Sequence, residues 1–383
     1  MKDDSLEFCA TLDVGCLSPL IERWRAGSSA GCVLALVAES ECSRLPILQS
    51  TCRAAGLSLV GGLFPGLVWQ QRFLTHGALL IYLPWQPVYA LVDRLDLDES
   101  SSAVRIAAAA QDHLDPSAPP TFFMVFDAMV PNIASILDEL YLELADGVRY
   151  LGVNAGSERF QPMPCVFDSE RLIGKGALCL LLPHDWSSAL IHGYHAPEET
   201  LTATATVGNK IVRIDWQPAF PVYRDKVLAR YGIALDHDNF YRYAVHFPFG
   251  IALASGQTLV RIPVALDEDE GILCVGEVPA NALLTLLQSP EVDSVDTARA
   301  LADVFAPARR SDPLLFFYCA GRRLHLGEGA ERELRVCERE TGARLVGALS
   351  LGEIGGVGDA SYPLLHNAAV VGVDWGEPDR GPA

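Results

Sequence analysis

The chain has 383 residues, a formal net charge of −19 and a hydrophobic content of 50%. This length exceeds what a single core usually holds, so the sequence predicts two domains, each with enough apolar side chains for its own core. The acidic charge argues against nucleic acid as a partner, because contact with phosphates needs a basic surface.

The apolar runs and the ten cysteines indicate a cytoplasmic protein with no membrane contact. No run approaches the ~20 apolar residues of a membrane-spanning helix, and the acidic start of the chain does not resemble a signal peptide. Cys32, Cys179 and Cys274 lie within apolar runs, as free thiols in protein cores do. The sequence has no Cys-x-x-Cys pair that would support a zinc site.

One pattern occurs three times, and each copy reads as strand, helix, strand, loop and a further strand. The copies span residues 31–84, 121–183 and 314–373. Their first strands are continuous apolar runs, which are typical of strands covered by helices on both faces. The strand–helix–strand part predicts a parallel pair, and the third strand follows a shorter loop that allows antiparallel pairing. The predicted fold class is therefore α/β (mixed α+β), with repeated β-α-β-β units that form helix-covered mixed sheets in two domains.

Changes in composition suggest where the domains begin and end. Residues 184–312 form a long insert with mostly strand-like pieces, and the proline-containing stretch 218–221 before a helical pattern marks a domain boundary. We predict an N-terminal segment at 1–27, a first domain at 28–222, a second domain at 223–373 and a disordered tail at 374–383.

Polar residues that follow the paired strands are the candidate site, because the carboxyl ends of parallel strands face the same edge of a sheet. The third copy is the richest, with Cys319 and Arg322 after its first strand, and Glu353 beside Gly352 after its second. An arginine next to a carboxylate suits a zwitterion such as an amino acid. The same two residues, Arg322 and Glu353, equally fit a structural ion pair.

Two other residues indicate different chemistry. His246 lies among aromatic residues in the stretch 243–249, a setting that suits a flat macrocycle such as haem held by one imidazole. A lone histidine is more often a polar edge residue, so both interpretations stay open. Cys319 is a candidate nucleophile if neighbouring arginines lower its pKa. Because no histidine lies in a recognisable relation to Cys319, we expect a protein that is not an enzyme.

Short motifs along nearly the whole chain resemble the two FIST domains. The segments Cys-Ala-Gly-Arg, Gly-Glu-Ile and Leu-His-Asn-Ala-Ala-Val-Val, at 319–322, 352–354 and 365–371, resemble the C-terminal FIST domain. Three further segments, at 59–65, 150–157 and 164–167, are similar to the N-terminal FIST domain. The order and spacing of these motifs make the resemblance specific.

The resemblance implies a sensory module that binds a small ligand, with amino acids as one class, and signals to a separate partner such as a histidine kinase. The stretch 247–251 is further similar to a stand-alone branch of haem-binding nitric-oxide sensors (NosP-like), which implies His246 as a candidate haem ligand. The loop at Val153 and Asn154 departs from the family's glycine-rich pattern. The ligand-binding residues that the resemblance and the strand-end argument predict are Cys319, Arg322, Glu353, Gly352, Asn367, Asn154 and Ser157.

Overall fold

The structure is a computed structural model that describes most of the chain and confirms the predicted mixed α/β class. The residues it describes are 5–27, 30–96, 102–115, 117–182, 186–254, 256–290, 295–305, 313–356 and 362–375. No helix within these ranges is long and apolar enough to cross a lipid bilayer.

Each sequence copy forms a unit of the same topology. The first two strands pair in parallel, and the third pairs antiparallel with the first, as the sequence predicts. Numbered in chain order, these strands are β2 (Cys32–Ala38), β3 (Ser58–Phe64) and β6 (Ala78–Leu83) in the first unit, β8 (Thr121–Asp127), β9 (Arg149–Ala155) and β12 (Ala177–Leu182) in the second, and β23 (Leu314–Cys319), β24 (Leu345–Ser350) and β27 (Val370–Asp374) in the third.

A short antiparallel strand pair follows the second strand of every unit and joins the sheet of a different unit. The pair of the first unit extends the third sheet, that of the second extends the first sheet, and that of the third extends the second sheet. The three units are therefore interlocked in a closed cycle. The exchanged pairs are β4 (Leu67–Trp69) with β5 (Arg72–Leu74), β10 (Val166–Asp168) with β11 (Leu172–Ile173), and β25 (Glu353–Gly355) with β26 (Leu364–His366).

The opposite edge of each sheet is also formed by a strand from outside the unit. The predicted N-terminal segment supplies this strand to the first sheet, and the strands that follow the first and second units supply it to the second and third sheets. All three sheets thus have six strands in equivalent order. The edge strands are β1 (Leu6–Cys9), β7 (Val88–Val92) and β13 (Ser187–Ile191).

The three sheets turn one face toward a common core and cover the other with helices. Phe317 of β23 lies in the common core, with its ring centroid 6.2 Å from Phe64 and 6.0 Å from Phe123. Its neighbours Phe316 and Tyr318 pack on the helices of the third unit. Burial on both faces explains the continuous apolar runs. The covering helices are α1 (Val14–Gly27) and α2 (Leu45–Ala55), α3 (Ser102–Ala107) and α4 (Ile133–Leu144), and α7 (Asp296–Phe305), α8 (Ala320–Leu326) and α9 (Gly329–Thr341).

Residues 201–286, within the predicted insert, form a small subdomain with its own core. The Tyr223 hydroxyl donates to the carbonyl oxygen of Phe247 at 2.9 Å in the middle of this core. The elements of the subdomain are β14 (Leu201–Thr202), β15 (Ala205–Val207), β16 (Lys210–Ile214), β17 (Gln217–Pro218), α5 (Ala219–Tyr231), α6 (Phe240–Ala244), β18 (Phe249–Ala252), β19 (Thr258–Arg261), β20 (Pro263–Leu266), β21 (Ile272–Cys274) and β22 (Leu283–Leu286).

The predicted boundaries do not coincide with these structural units. The boundary between residues 222 and 223 falls inside α5, because the proline-containing stretch begins this helix and does not link two domains. The predicted tail starts two residues too early. Asp374 belongs to β27, and buried Trp375 donates from Nε1 to the carbonyl oxygen of Pro313 at 2.7 Å. The remainder of that tail, 376–383, lies outside the described residues.

Candidate functional site

A cavity of about 330 Å³ lies where the third unit meets the small subdomain. The third unit contributes Cys319, at the end of β23, and Asn367, between β26 and β27. The subdomain contributes His246, Ile262 and Val264. The cavity therefore opens at the carboxyl end of the third parallel strand pair, the edge where the strand-end argument places the richest set of polar residues.

The cavity is polar at its two ends and apolar between them. At the inner end, Cys319 and Asn367 are 2% and 1% exposed. At the outer end lie Tyr241, which is 57% exposed, and the exposed Arg242. A pocket of this size with apolar walls and few polar groups is typical of small-molecule sites. The apolar wall residues are Val245, Ile262, Val264, Val275, Leu324 and Leu351.

Asn367 provides the polar group at the inner end. Its Nδ2 donates to the carbonyl oxygen of His366 at 3.0 Å, whereas its Oδ1 has no partner among the described residues. A buried acceptor without a hydrogen bond costs about 1–3 kcal/mol, so native proteins rarely leave one unmatched. A ligand with an N–H or O–H group would satisfy this oxygen.

Cys319 lines the cavity as predicted, but its surroundings are those of a neutral thiol. Its sulfur accepts a hydrogen bond from the backbone nitrogen of Ala368 at 3.1 Å. Burial, together with the nearby Glu353 carboxyl, raises the pKa of the Cys319 thiol well above its ordinary value. A nucleophilic cysteine needs a lowered pKa, so the expected activation by neighbouring arginines is not found.

We expect Cys319 to be alkylated by iodoacetamide at pH 7.5 at least about tenfold more slowly than free cysteine, because each unit of raised pKa lowers the thiolate fraction about tenfold. Peptide mass spectrometry after timed quenching gives the rate for each cysteine. The half-buried Cys16 is the internal control and should react faster. Rapid, selective labelling of Cys319 would contradict the neutral thiol and favour the enzymatic alternative.

Arg322 does not face the cavity, which corrects the expectation that it binds a ligand. Its side chain is fully buried and all five N–H groups have acceptors. Nε and Nη2 form a bidentate pair with the Glu333 carboxylate at 2.8 and 2.5 Å. The remaining N–H groups donate to Thr297 Oγ1 and to the carbonyl oxygens of His192 and Ala368. No donor is left for a ligand, so Arg322 fixes α8 against α7 and α9.

Glu353 is likewise fully buried, but it has no cationic partner among the described residues. Ser350 Oγ donates to Oε1 at 2.5 Å, and the backbone nitrogen of Ala369 lies 3.4 Å from Oε2. Burial raises the pKa of Glu353 to about 8. The carboxyl is therefore protonated at neutral pH, and it neither pairs with Arg322 nor lines the cavity.

The remaining predicted residues lie beside the cavity and join the second unit to the third. The backbone of Asn154 exchanges hydrogen bonds with Leu351 and Gly352 at 2.9 and 2.8 Å. A Cβ atom at Gly352 would lie 2.7 Å from Asn154 Nδ2, so a larger residue at this position would displace the Asn154 side chain. Ser157 accepts a hydrogen bond from the backbone nitrogen of Arg159 within the same loop. These residues position the loop but do not line the cavity.

Several lining residues were not predicted from the sequence. Glu158 and Phe160 follow Ser157 directly, so the loop was identified but not the side chains that face the cavity. The walls at Ile262, Val264 and Val275 belong to the small subdomain, whose strands carried no recognisable motif. The one signal there was the aromatic stretch around His246.

His246 lines the cavity and contacts a second histidine. Its Nδ1 lies 2.8 Å from Nδ1 of His325 in α8, so one ring donates to the other. Burial lowers the pKa of both imidazoles, that of His325 to about 4, with the neighbouring His246 as a further cause. Both rings are neutral at physiological pH. The contact joins the subdomain to the third unit at the rim of the cavity.

Comparison with protein families identifies the class of this chain. The FIST N domain matches residues 33–217, and the FIST C domain matches residues 219–356. The chain therefore belongs to the FIST family, as its motifs indicate, and FIST domains are associated with small-ligand sensing in signalling. A search of curated proteins finds no match.

Proposed function

We propose that this protein is a sensor whose ligand is a small, mainly apolar molecule with one hydrogen-bond donor, bound in the cavity between the third unit and the small subdomain. The observation that carries this proposal is the unpartnered Oδ1 of buried Asn367 at the inner end of an apolar cavity. The donor group pairs with this oxygen, and the apolar body lies between Ile262 and Leu351.

The position of the cavity supports a signalling role for such a ligand. Its walls come from the third unit, the small subdomain and the loop at Glu158 and Phe160, so a ligand that contacts all of them favours the arrangement in which they are closed on each other. The output passes to a separate signalling protein, with a histidine kinase as the proposed class. A cytoplasmic location agrees with ten cysteines that are all free thiols, since disulfides are rare in reducing compartments.

Haem is the second candidate ligand, and His246 is the observation that favours it. The contact between its Nδ1 and His325 leaves Nε2 for coordination, and ligating histidines usually have their other ring nitrogen fixed by a neighbour in this way. The aliphatic walls suit one edge of a porphyrin, which as a whole is larger than this cavity, and Arg242 at the outer end suits its carboxylates. A bound haem iron would supply the capacity to bind a diatomic gas such as nitric oxide.

An amino-acid ligand has less support. Its carboxylate would need a free cationic donor at the inner end, where Arg322 is saturated and buried behind the wall. Its ammonium would need a free ionised carboxylate, whereas Glu353 is protonated at neutral pH and Glu158, which lines the cavity, forms an ion pair with Arg323 at 3.5 Å. The geometry therefore favours a ligand whose charge, if any, lies at the outer end near Arg242.

The test uses 1-anilinonaphthalene-8-sulfonate, which combines an apolar ring system with an N–H donor and an anionic group. We expect a saturable fluorescence increase with one site per chain, weakened at least about tenfold by Val264→Trp, because the indole fills the cavity from its outer wall. Val207→Trp, at an exposed site in the same subdomain, is the matched control and should bind normally. Equal binding by both variants would overturn the proposed site.

The same proteins distinguish the two ligands. Titration with haemin should give a Soret band that shifts or disappears in His246→Ala if haem is the ligand. Protein that takes up no haemin but binds the fluorescent probe through the same cavity excludes haem and leaves the organic ligand.

A further inference from the structure

A second cavity, of about 350 Å³, is lined by His366, the residue that precedes Asn367 in the chain. It shares no lining residue with the first cavity. Its walls are the turn His192–His195 after β13, Gln257 and Thr258 at the start of β19, and His366 at the end of β26. None of its lining residues is acidic.

His366 is the unusual group in this cavity. It is 1% exposed, and neither ring nitrogen has a hydrogen-bond partner among the described residues. Burial, the guanidinium of Arg261 and the neighbouring His192 lower the pKa of His366 to about 3. The ring is therefore neutral at physiological pH and carries one donor and one acceptor, both unsatisfied. Buried polar groups in native proteins normally have hydrogen-bond partners. We therefore expect a bound ligand to supply them to the His366 ring.

The positive charge of Arg261, near His366, determines which kind of ligand fits the cavity. Arg261 is buried and donates only to carbonyl oxygens, those of Glu277, Val260 and Leu365, at 2.8–3.0 Å. No described carboxylate forms an ion pair with it: burial lowers the pKa of Arg261 and the nearby Glu277 carboxylate opposes this shift, but the hydrogen bonds of that carboxylate come from Ser135. Glu353, opposite His366 in the neighbouring strand, is held neutral and does not balance this charge. A buried positive charge without a directly paired carboxylate favours an anion nearby and disfavours a cation.

The other charged and polar groups around the second cavity also favour a negatively charged ligand. The Arg322 guanidinium, second to burial, lowers the pKa of His192 to about 4, so its positive field reaches the cavity although Glu333 pairs with it. His195 is exposed at the opening. No group of three or more His, Cys, Asp or Glu side chains in the described part of the chain is arranged to hold a metal ion, so the histidines do not form a metal centre.

We propose that the second cavity is a binding site for a small organic carboxylate, which accepts a hydrogen bond from the His366 imidazole at the inner end and extends toward His195 at the opening. The apolar part of the molecule packs against Leu190, Ile191 and Tyr194. Which ring nitrogen of His366 carries the proton is set by the bound carboxylate. This site is independent of the ligand in the first cavity, so the protein would respond to two different molecules.

The test compares three molecules of nearly the same shape: benzoate, benzamide and benzylamine. Isothermal titration calorimetry should show saturable binding of benzoate, at least tenfold weaker binding of neutral benzamide, and no binding of cationic benzylamine. Benzoate should bind Val264→Trp as tightly as the unmodified protein, because that variant blocks only the first cavity. Absence of benzoate binding, or equal binding of benzylamine, would overturn the proposal.

Two variants locate the site. His366→Phe replaces the imidazole by an aromatic ring without nitrogens and should weaken benzoate binding at least tenfold. His113→Phe, at an exposed position, is the control and should leave benzoate binding unchanged. If His366→Phe does not fold, Gln257→Trp fills the same cavity from its half-buried rim and should have the same effect. Benzoate binding that survives in a folded form of either cavity variant would place the ligand elsewhere and refute the site.

Discussion

Replacement of Arg322 by methionine is expected to lower the free energy of unfolding by about 3–5 kcal/mol. The change removes the guanidinium but leaves the Glu333 carboxylate buried, with only the Tyr318 hydroxyl donating to it at 2.5 Å. Burial opposes the charged form of Glu333, and it is the Arg322 charge that lowers its pKa below the ordinary value. Urea denaturation followed by tryptophan fluorescence measures the loss, with an unchanged m value as the sign of an intact fold.

The double variant Arg322→Met/Glu333→Leu is the informative control. Removal of both charges leaves no uncompensated ion, so we expect it to regain most of the stability lost by the single variant. Arg339→Met breaks an exposed pair with Glu340 and should cost less than about 1 kcal/mol. A loss below about 1 kcal/mol for Arg322→Met, together with loss of ligand binding, would restore Arg322 as a ligand contact.

The stability of the protein is expected to be greatest near pH 6.5 and to fall on both sides. On the acid side, His192, His325 and His366 have pKa values of about 4, 4 and 3, and burial also lowers the pKa of His246. The unfolded chain takes up these protons as the pH falls below 6.5, whereas in the folded chain His192, His325 and His366 stay neutral until about pH 4. Each such imidazole therefore costs up to about 1.4 kcal/mol per pH unit in this window.

On the alkaline side the controlling group is Glu353. Its pKa of about 8 means that the folded chain keeps a proton that the unfolded chain has lost above pH 4.5. This contribution falls as the pH rises from 4.5 to 8, but below pH 6.5 the combined contribution of His192, His325 and His366 outweighs it. Above pH 6.5 Glu353 makes the largest single contribution, at up to about 1.4 kcal/mol per pH unit, and toward pH 8 buried thiols with raised pKa values, such as Cys32 and Cys179, add to the decline.

Urea denaturation at half-unit steps from pH 4.5 to 8 measures this profile. Glu353→Gln keeps the shape and an acceptor for Ser350 but cannot ionise, so its stability should fall less steeply between pH 6.5 and 8 than that of the unmodified protein. The acid limb should remain in this variant. An alkaline decline of the same steepness in Glu353→Gln would show that another group is responsible.

The pairing within each unit was predictable because it depends on local patterns. Continuous apolar runs such as Cys32–Ala38 identify strands covered on both faces, and an intervening helix requires the parallel return. The exchange of strand pairs was not predictable. A pair as short as Leu67–Leu74 fits the edge of any of three sheets, since the three units share one pattern, and only the assembled structure selects the sheet.

The candidate site, like the fold, was only partly predictable from the sequence. Cys319 was found because strand ends converge at one edge of a sheet, and Asn367 because its segment resembles the C-terminal FIST domain. Arg322 was misassigned because its true partner, Glu333, lies on the next helix, and nothing in the sequence favours it over Glu353 across the strand pair. The subdomain walls were missed since their aliphatic residues look like any other core. The sequence thus located the edge of the sheet but not the cavity's second wall.

The cyclic exchange of strand pairs has a consequence for how this protein can be divided. The two family regions meet at residue 218, yet a chain cut there would keep β4 and β5 without the third sheet and leave β9 without β25 and β26. Unpaired strands of this kind are templates for aggregation. The two regions are thus a sequence division and not separable modules. The part of the chain that can be expressed and folded as one piece therefore comprises all three interlocked units.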